Sequence, residues 1–124
     1  MILGEYDADG HGVIVEITIS DGQHNENVPA VLDTGFTGFL MLPVSLAGGF
    51  RFAPLDDRIV ELGDGRESRL DACEVIVSWH GKERAVRTFL ALRTQALIGM
   101  KLLRGSLVTL ELLPGGYVTV EHAG

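Results

Sequence analysis

The sequence has little of several features, and each shortage excludes a class of protein. Among 124 residues there is one cysteine, Cys73, so an intrachain disulfide is excluded and a reducing compartment is indicated. No apolar run approaches the roughly 20 residues that a membrane-spanning helix requires. The opening residues lack the basic segment of a secretory signal. We therefore expect a cytoplasmic protein without a membrane partner, in which Cys73 is an inert core thiol.

Positive charge is also scarce. Ten Lys and Arg residues against seventeen Asp and Glu residues give a formal net charge of −7 at pH 7. Nucleic acid binding needs a basic stripe that neutralises phosphates, and no such stripe is visible between Arg51 and Arg104. The four histidines lie in or near predicted turns and the tail, without the spacing of a zinc site, and we expect them to be solvated. The composition argues against a nucleic acid partner and against a metal.

The apolar residues that are present have the pattern of an all-β protein. Between positions 13 and 19, every second residue is a Val or Ile that suits the buried face of a strand. Similar segments recur about every 8–12 residues with turn signals between them, which predicts a compact barrel or sandwich. Short helical segments are predicted at 44–47 and 100–104. No linker interrupts the pattern, so we predict a single domain over residues 1–124.

The most informative segment covers residues 28–38, where an apolar strand runs directly into Asp33, Thr34 and Gly35. An ionised carboxylate at the end of a buried strand is costly unless partners offset its lost hydration. A chain that places Asp at this point therefore has a use for it. From the residues alone, a side chain that merely caps its own turn remains an alternative. Farther along, a second apolar run, Leu97-Ile98-Gly99, leads into a short predicted helix.

The order of these motifs resembles the retropepsin-like aspartic proteases of clan AA, in particular a single-lobe bacterial and archaeal group whose motif reads Asp-Thr-Gly-Phe. The resemblance extends from about Val13 to Val120. It implies a closed acid-protease β-barrel with one short helix near the C-terminus. It also implies that Asp33-Thr34-Gly35 is the catalytic turn, Gly63-Asp64-Gly65 the flap and Leu97-Ile98-Gly99 the support of the catalytic loop. Retroviral members have a small residue after the motif glycine, whereas Phe36 is bulky and gives this site another shape.

The resemblance further implies roles for the residues of the turn. Two carboxylates in this family share one proton and serve as the acid and base that activate a water. The motif occurs once here, so the second Asp33 must come from another copy across a two-fold axis. Thr34 would reach the partner's backbone, and Gly35 would donate its N–H to the carboxylate. The implied protein is a homodimeric aspartic endopeptidase that acts on peptides or proteins and needs no cofactor.

Two other interpretations stay open at the level of the sequence. In the first, the chain has a retropepsin-like fold but serves as a catalytically silent binding or dimerisation module. In the second, it is an unrelated small β-barrel in which Asp33 only caps a turn. Sedimentation distinguishes them in part, because a strict monomer excludes a symmetric site. A dimer that cleaves no unstructured protein would favour the binding module.

Overall fold

The computed structural model describes residues 1–61 and 65–124. Strands dominate this part of the chain, and the two helices are short. The elements in chain order are β1 Ile2–Tyr6, β2 Val13–Ser20, β3 Asn25–Leu32, β4 Leu40–Pro43, α1 Val44–Ala47, β5 Ala53–Glu61, β6 Glu67–Trp79, β7 Lys82–Ala91, β8 Ala96–Ile98, α2 Met100–Leu103, β9 Ser106–Leu110 and β10 Val118–His122. None of the described helices is long and apolar enough to cross a membrane.

The strands form one hydrogen-bonded sheet that closes on itself. Their order is β5-β6-β7-β4-β8-β3-β2-β1-β10-β9, and an additional antiparallel pairing joins β2 to β6. That pairing runs from Thr18 opposite Ser78 to Ser20 opposite Ile76. It closes β2, β3, β8, β4, β7 and β6 into a barrel of six strands. Outside the barrel, β1, β10 and β9 form an extension that begins at β2, and β5 is an edge strand beside β6. The all-β class and the closed barrel predicted from the sequence are confirmed.

Two apolar clusters fill the interior. The larger cluster takes alternate residues from β2 and β6, which face inward because successive side chains of a strand point to opposite faces. These side chains are at most 3 % exposed: Val15, Ile17, Ile19, Val75, Val77 and Trp79. The smaller cluster consists of Phe36, Met41, Ala72, Phe89 and Leu97. Each large side chain buried in this way stabilises the fold by roughly 1.5–3 kcal/mol.

The strand β8 lies between β3 and β4. It pairs in parallel with β3, with Leu32 opposite Ile98, and antiparallel with β4, with Leu40 opposite Ile98. Because β3 and β4 flank the same strand, the connection 33–39 must cross the end of β8. The Asp-Thr-Gly turn is therefore placed directly against the residues that follow Ile98.

The resemblance implied a flap at Gly63-Asp64-Gly65, and β5 and β6 are the strands that precede and follow these residues in the chain. The two strands pair antiparallel from Ala53 opposite Glu74 to Glu61 opposite Glu67. Of the proposed flap residues, Gly63 and Asp64 lie outside the described residues. Gly65 is described: it is exposed and has φ of +84°, a conformation that favours glycine.

At the chain ends the strands differ from the predicted pattern. β1 has no counterpart among the predicted strands, although it pairs with both β2 and β10. The last hairpin consists of Ser106–Leu110 and Val118–His122. Both predicted helical segments are present, as α1 and α2, and α2 is the helix near the C-terminus that the resemblance implied.

Candidate active site

Asp33 stands where the chain leaves the barrel wall. It directly follows β3 and is half-buried. Its backbone N–H donates to the carbonyl of Ile98 at 2.9 Å, and its carbonyl accepts the N–H of Phe36 at 3.2 Å. The first bond extends the β3–β8 pairing by one residue, and the second closes a turn. The carboxylate is thus fixed at the end of a buried strand, on a backbone that is bonded on both sides.

One oxygen of the Asp33 carboxylate is held and the other is free. Oδ1 accepts the backbone N–H of Gly35 at 2.8 Å. Within the part of the chain that the structure describes, the side chain makes no further hydrogen bond or ion pair. The capping role considered from the sequence is therefore present. It uses a single oxygen, however, and leaves Oδ2 open to a water or a second carboxylate.

The turn is held in place by the start of α2. The N–H groups of Gly99 to Lys101 donate to the carbonyls of residues 39, 36 and 38, respectively, at 2.8–3.1 Å. The first N–H groups of a helix have no partner within the helix and need one outside it. Here the carbonyls of the turn satisfy them, so α2 and the turn form one rigid unit.

Gly99 permits this close contact. A Cβ atom at this position would overlap the carbonyl oxygen of Gly38 and would lie 2.6 Å from the ring of Phe36. Leu97 and Ile98, which precede it, are buried in the smaller and the larger apolar cluster, respectively. The structure thus brings Leu97-Ile98-Gly99 against the Asp33 turn.

The side chains of the turn divide between its two sides. Phe36 is 1 % exposed and meets the ring of Phe89 edge-on, with 6.3 Å between the ring centroids. It shapes the turn from within the core. Thr34 and Gly35 are exposed on the outer side. Next to Thr34 an open groove of about 420 Å³ extends along α2 to β9, with Met100, Val108 and Leu110 among the apolar side chains that line it.

Other chemistry-bearing residues lie away from the turn. Burial raises the pKa of the Cys73 thiol to about 11, which keeps it protonated near neutral pH. In the described ranges no three His, Cys, Asp or Glu side chains are grouped so that they could hold a metal. The prediction of solvated histidines is wrong for His80, which is half-buried and lies 2.8 Å from Ser106 Oγ through its Nε2.

Comparisons with known proteins support the fold. No family model and no curated protein matches the sequence. Among solved structures the chain is similar to EIAV protease complexed with the inhibitor HBY-793, with a TM-score of 0.57 and 15 % sequence identity. The match covers 81 % of this chain and 91 % of the other. The chain therefore has the retropepsin-like acid-protease fold, while its assignment to a bacterial and archaeal group stays a prediction.

Proposed function

We propose that the protein is an aspartic endopeptidase that works as a homodimer. The observation that carries this proposal is the geometry of Asp33. Its carboxylate ends a buried strand, is oriented through one oxygen by Gly35, and presents the other oxygen without a partner. The turn that holds it is clamped by α2 within a retropepsin-like barrel.

The chemistry follows from two such carboxylates at a two-fold axis. Two carboxylates about 3 Å apart cannot both ionise comfortably, so the pair shares one proton and titrates as a unit. The ionised Asp33 takes a proton from a water, whose oxygen attacks the carbon of the peptide carbonyl. The protonated Asp33 gives its proton to the carbonyl oxygen. As the tetrahedral intermediate collapses and its C–N bond breaks, the first Asp33 gives the proton that it took from the water to the leaving amine. The second Asp33 takes a proton from a hydroxyl of the intermediate, so the pair again holds one proton.

The surface beside the turn suits a second copy of the chain. Met100 is 43 % exposed and Leu110 is 42 % exposed, and both line the groove that begins at Thr34. Covering such a surface is favourable by about 25 cal/mol for each Å² of apolar area removed from water. In a two-fold interface the same patch occurs on both partners, so the two Asp33 turns would be brought together.

The β5–β6 hairpin is the part of the fold suited to cover a substrate. Its strands are nine and thirteen residues long, and they project beyond the pairing of β6 with β7. We assign the role of the flap to this hairpin, whose strands precede and follow Gly63, Asp64 and Gly65 in the chain. A peptide held beneath it would be shielded from bulk water during hydrolysis.

The test compares Asp33→Asn with a control variant that removes the same charge elsewhere, Glu16→Gln. Glu16 is exposed on β2, outside the Asp33 turn and the β5–β6 hairpin, and its side chain makes no hydrogen bond or ion pair in the described structure. We expect cleavage of an unfolded protein between about pH 3 and 7 to fall by roughly 10²–10⁴-fold or more in Asp33→Asn. Glu16→Gln should cleave like the parent.

Two results would contradict the proposal. Peptidase activity retained in Asp33→Asn would show that the carboxylate is not the acid or base. A parent protein that sediments as a dimer but cleaves no unstructured substrate would identify a binding module instead. Circular dichroism and sedimentation of both variants establish that fold and assembly are unchanged.

A further inference from the structure

A second cavity, of about 510 Å³, lies apart from the Asp33 turn. Its lining residues come from the β6–β7 hairpin, the end of α2 and β10, and they are Trp79, His80, Lys82, Arg84, Arg104 and His122. The volume is in the range of pockets that hold small molecules. None of the residues 33–38 contributes to it.

The lining is cationic in a chain whose net charge is negative. Lys82, Arg84 and Arg104 carry permanent charge near neutral pH, and no Asp or Glu belongs to the described lining. Glu83 alternates with the two cations on β7, which directs its side chain to the opposite face of the strand. No described carboxylate lies within 4 Å of a charged nitrogen of these three residues. Among the described residues, no carboxylate therefore forms an ion pair with the positive charges of the cavity.

The cavity walls are tied to the backbone and to one another. His80 and Gly81 both have positive φ, of 51° and 76°, which forms the tight turn between β6 and β7. The His80 ring is 2.8 Å from Ser106 Oγ, and its centroid is 5.4 Å from that of His122. Partial burial, His122 and the N-terminal ammonium lower the pKa of His80. His122 and the N-terminal ammonium have this effect because positive charge nearby disfavours the protonated form of His80.

Trp79 contributes to the lining of the cavity and also belongs to the larger apolar cluster. It is 3 % exposed, and its buried indole N–H has no hydrogen-bond partner among the described residues. Arg84 and Lys101 lie over the ring of Phe39, at 5.6 and 5.9 Å from its centroid, so a further cation lies close by. Clustered cations without anions repel one another, and a bound anion would relieve that repulsion.

We propose that this cavity binds a phosphate-type dianion, either inorganic phosphate or the phosphate group of a small ester. The guanidinium groups of Arg84 and Arg104 offer paired donors that match phosphate oxygens, and Lys82 adds a compact positive charge. The site is a single concavity in an acidic protein and not a basic stripe, so a small ligand fits it and a nucleic acid does not. This role is independent of peptidase activity.

Tryptophan fluorescence provides the test, because Trp79 is the chain's single tryptophan and lines the cavity. The full chain is titrated with sodium phosphate at constant ionic strength, and separately with phenyl phosphate and with sodium chloride. We expect a saturable change with phosphate and none with chloride. Thermal unfolding gives a second measurement, since a ligand that binds the folded state raises the Tm.

A pair of double variants identifies the binding groups. Arg84→Gln with Arg104→Gln should weaken phosphate binding about tenfold or more, because two charge-assisted contacts are lost. Arg51→Gln with Arg93→Gln changes the charge equally outside the cavity and should bind like the parent. Tighter binding of phenyl phosphate than of phosphate would identify an ester as the natural source, and the reverse would identify the free anion. An unsaturable response, or equal affinities in both double variants, would overturn the proposal.

Discussion

The carboxylate of Asp33 is oriented by residues that carry no charge. The N–H of Gly35 holds one oxygen, Phe36 anchors the turn in the core, and Gly99 lets α2 approach the turn's backbone. The position of the acid therefore depends on packing at the level of single atoms.

Gly99→Ala tests this dependence. We expect a loss of about 1–3 kcal/mol in the free energy of unfolding, because the added Cβ meets the backbone oxygen of Gly38, which is itself bonded to Lys101. Gly48→Ala is the matched control, since its Cβ would lie at an ordinary 3.6 Å from the carbonyl oxygen of Ser45. Urea unfolding measures both variants. Equal midpoints would show that the turn relaxes without cost.

Between elements, Asp21 joins the β2–β3 turn to the segment that precedes β5. Its Oδ1 accepts the N–H groups of Gln23 at 2.9 Å and His24 at 2.8 Å, and its Oδ2 accepts that of Arg51 at 2.8 Å. These bonds, of which the bond from Arg51 has the largest effect, lower the pKa of Asp21 to about 2. The ionised side chain thus connects two parts of the fold that are far apart in sequence.

The pH dependence of this connection has a definite sign. Since the pKa is lower in the folded chain than its ordinary value of about 4, the stabilisation is present above pH 4 and is lost as the pH falls toward 2. Asp21→Asn replaces one acceptor oxygen with an N–H donor that faces Arg51. We expect a lower Tm at pH 7 and a difference from the parent that narrows between pH 4 and 2. A constant Tm difference between Asp21→Asn and the parent across this pH range would contradict the assignment.

The sequence predicted those elements whose pattern is local. The strand β2 and the run Leu97-Ile98-Gly99 could be predicted because their apolar residues are the ones that the fold buries. The strand β1 could not be predicted in this way. Its apolar residue Leu3 is 70 % exposed, and its inner side carries Gly4, where a Cβ would be too close to Val118. At Gly4 the strand packs closely through its backbone and not through a buried apolar side chain. Such packing leaves no pattern in the sequence.

The candidate sites differ in the same way. The catalytic role of Asp33 stays a prediction, but its place at the end of a buried strand was predictable because a contiguous apolar run precedes it. The cationic cavity was not, because His80, Arg104 and His122 meet only through the pairing of β1, β9 and β10 around the barrel. The residues next to each histidine in the sequence do not indicate that these three side chains line one cavity.

For the whole molecule, the extension β1-β10-β9 and the adjoining α2 present the largest share of exposed apolar side chains. Leu107, Leu112, Leu113 and Tyr117 are 55–77 % exposed, and the outer edge of β9 has no neighbouring strand in the described sheet. Exposed edges and apolar patches on a folded protein are commonly covered by another chain. The groove beside Thr34 is continuous with this surface, through Leu110.

Met100→Lys tests whether that surface forms the proposed dimer. A charge near a two-fold axis meets its own copy, so repulsion and lost apolar contact should shift the protein from dimer to monomer. We expect the dissociation constant of the dimer to rise about tenfold or more, because dimerisation would bury an unpaired charge on each copy. Leu92→Lys is the control, because Leu92 is 98 % exposed and lies outside the groove. Sedimentation equilibrium reports both, and an unchanged Met100→Lys dimer would place the interface elsewhere.

The pairing of β1 with β10 has a consequence for the connectivity of the chain. Ile2 lies opposite Val120, so the first and the last strand of the described sheet are neighbours, about 5 Å apart. A short linker could therefore join them, and new ends could be opened at the exposed turn around Gly22 without altering the order of strands in the barrel. The same six-strand closure and the same Asp33 turn would then be reached by a circularly permuted chain.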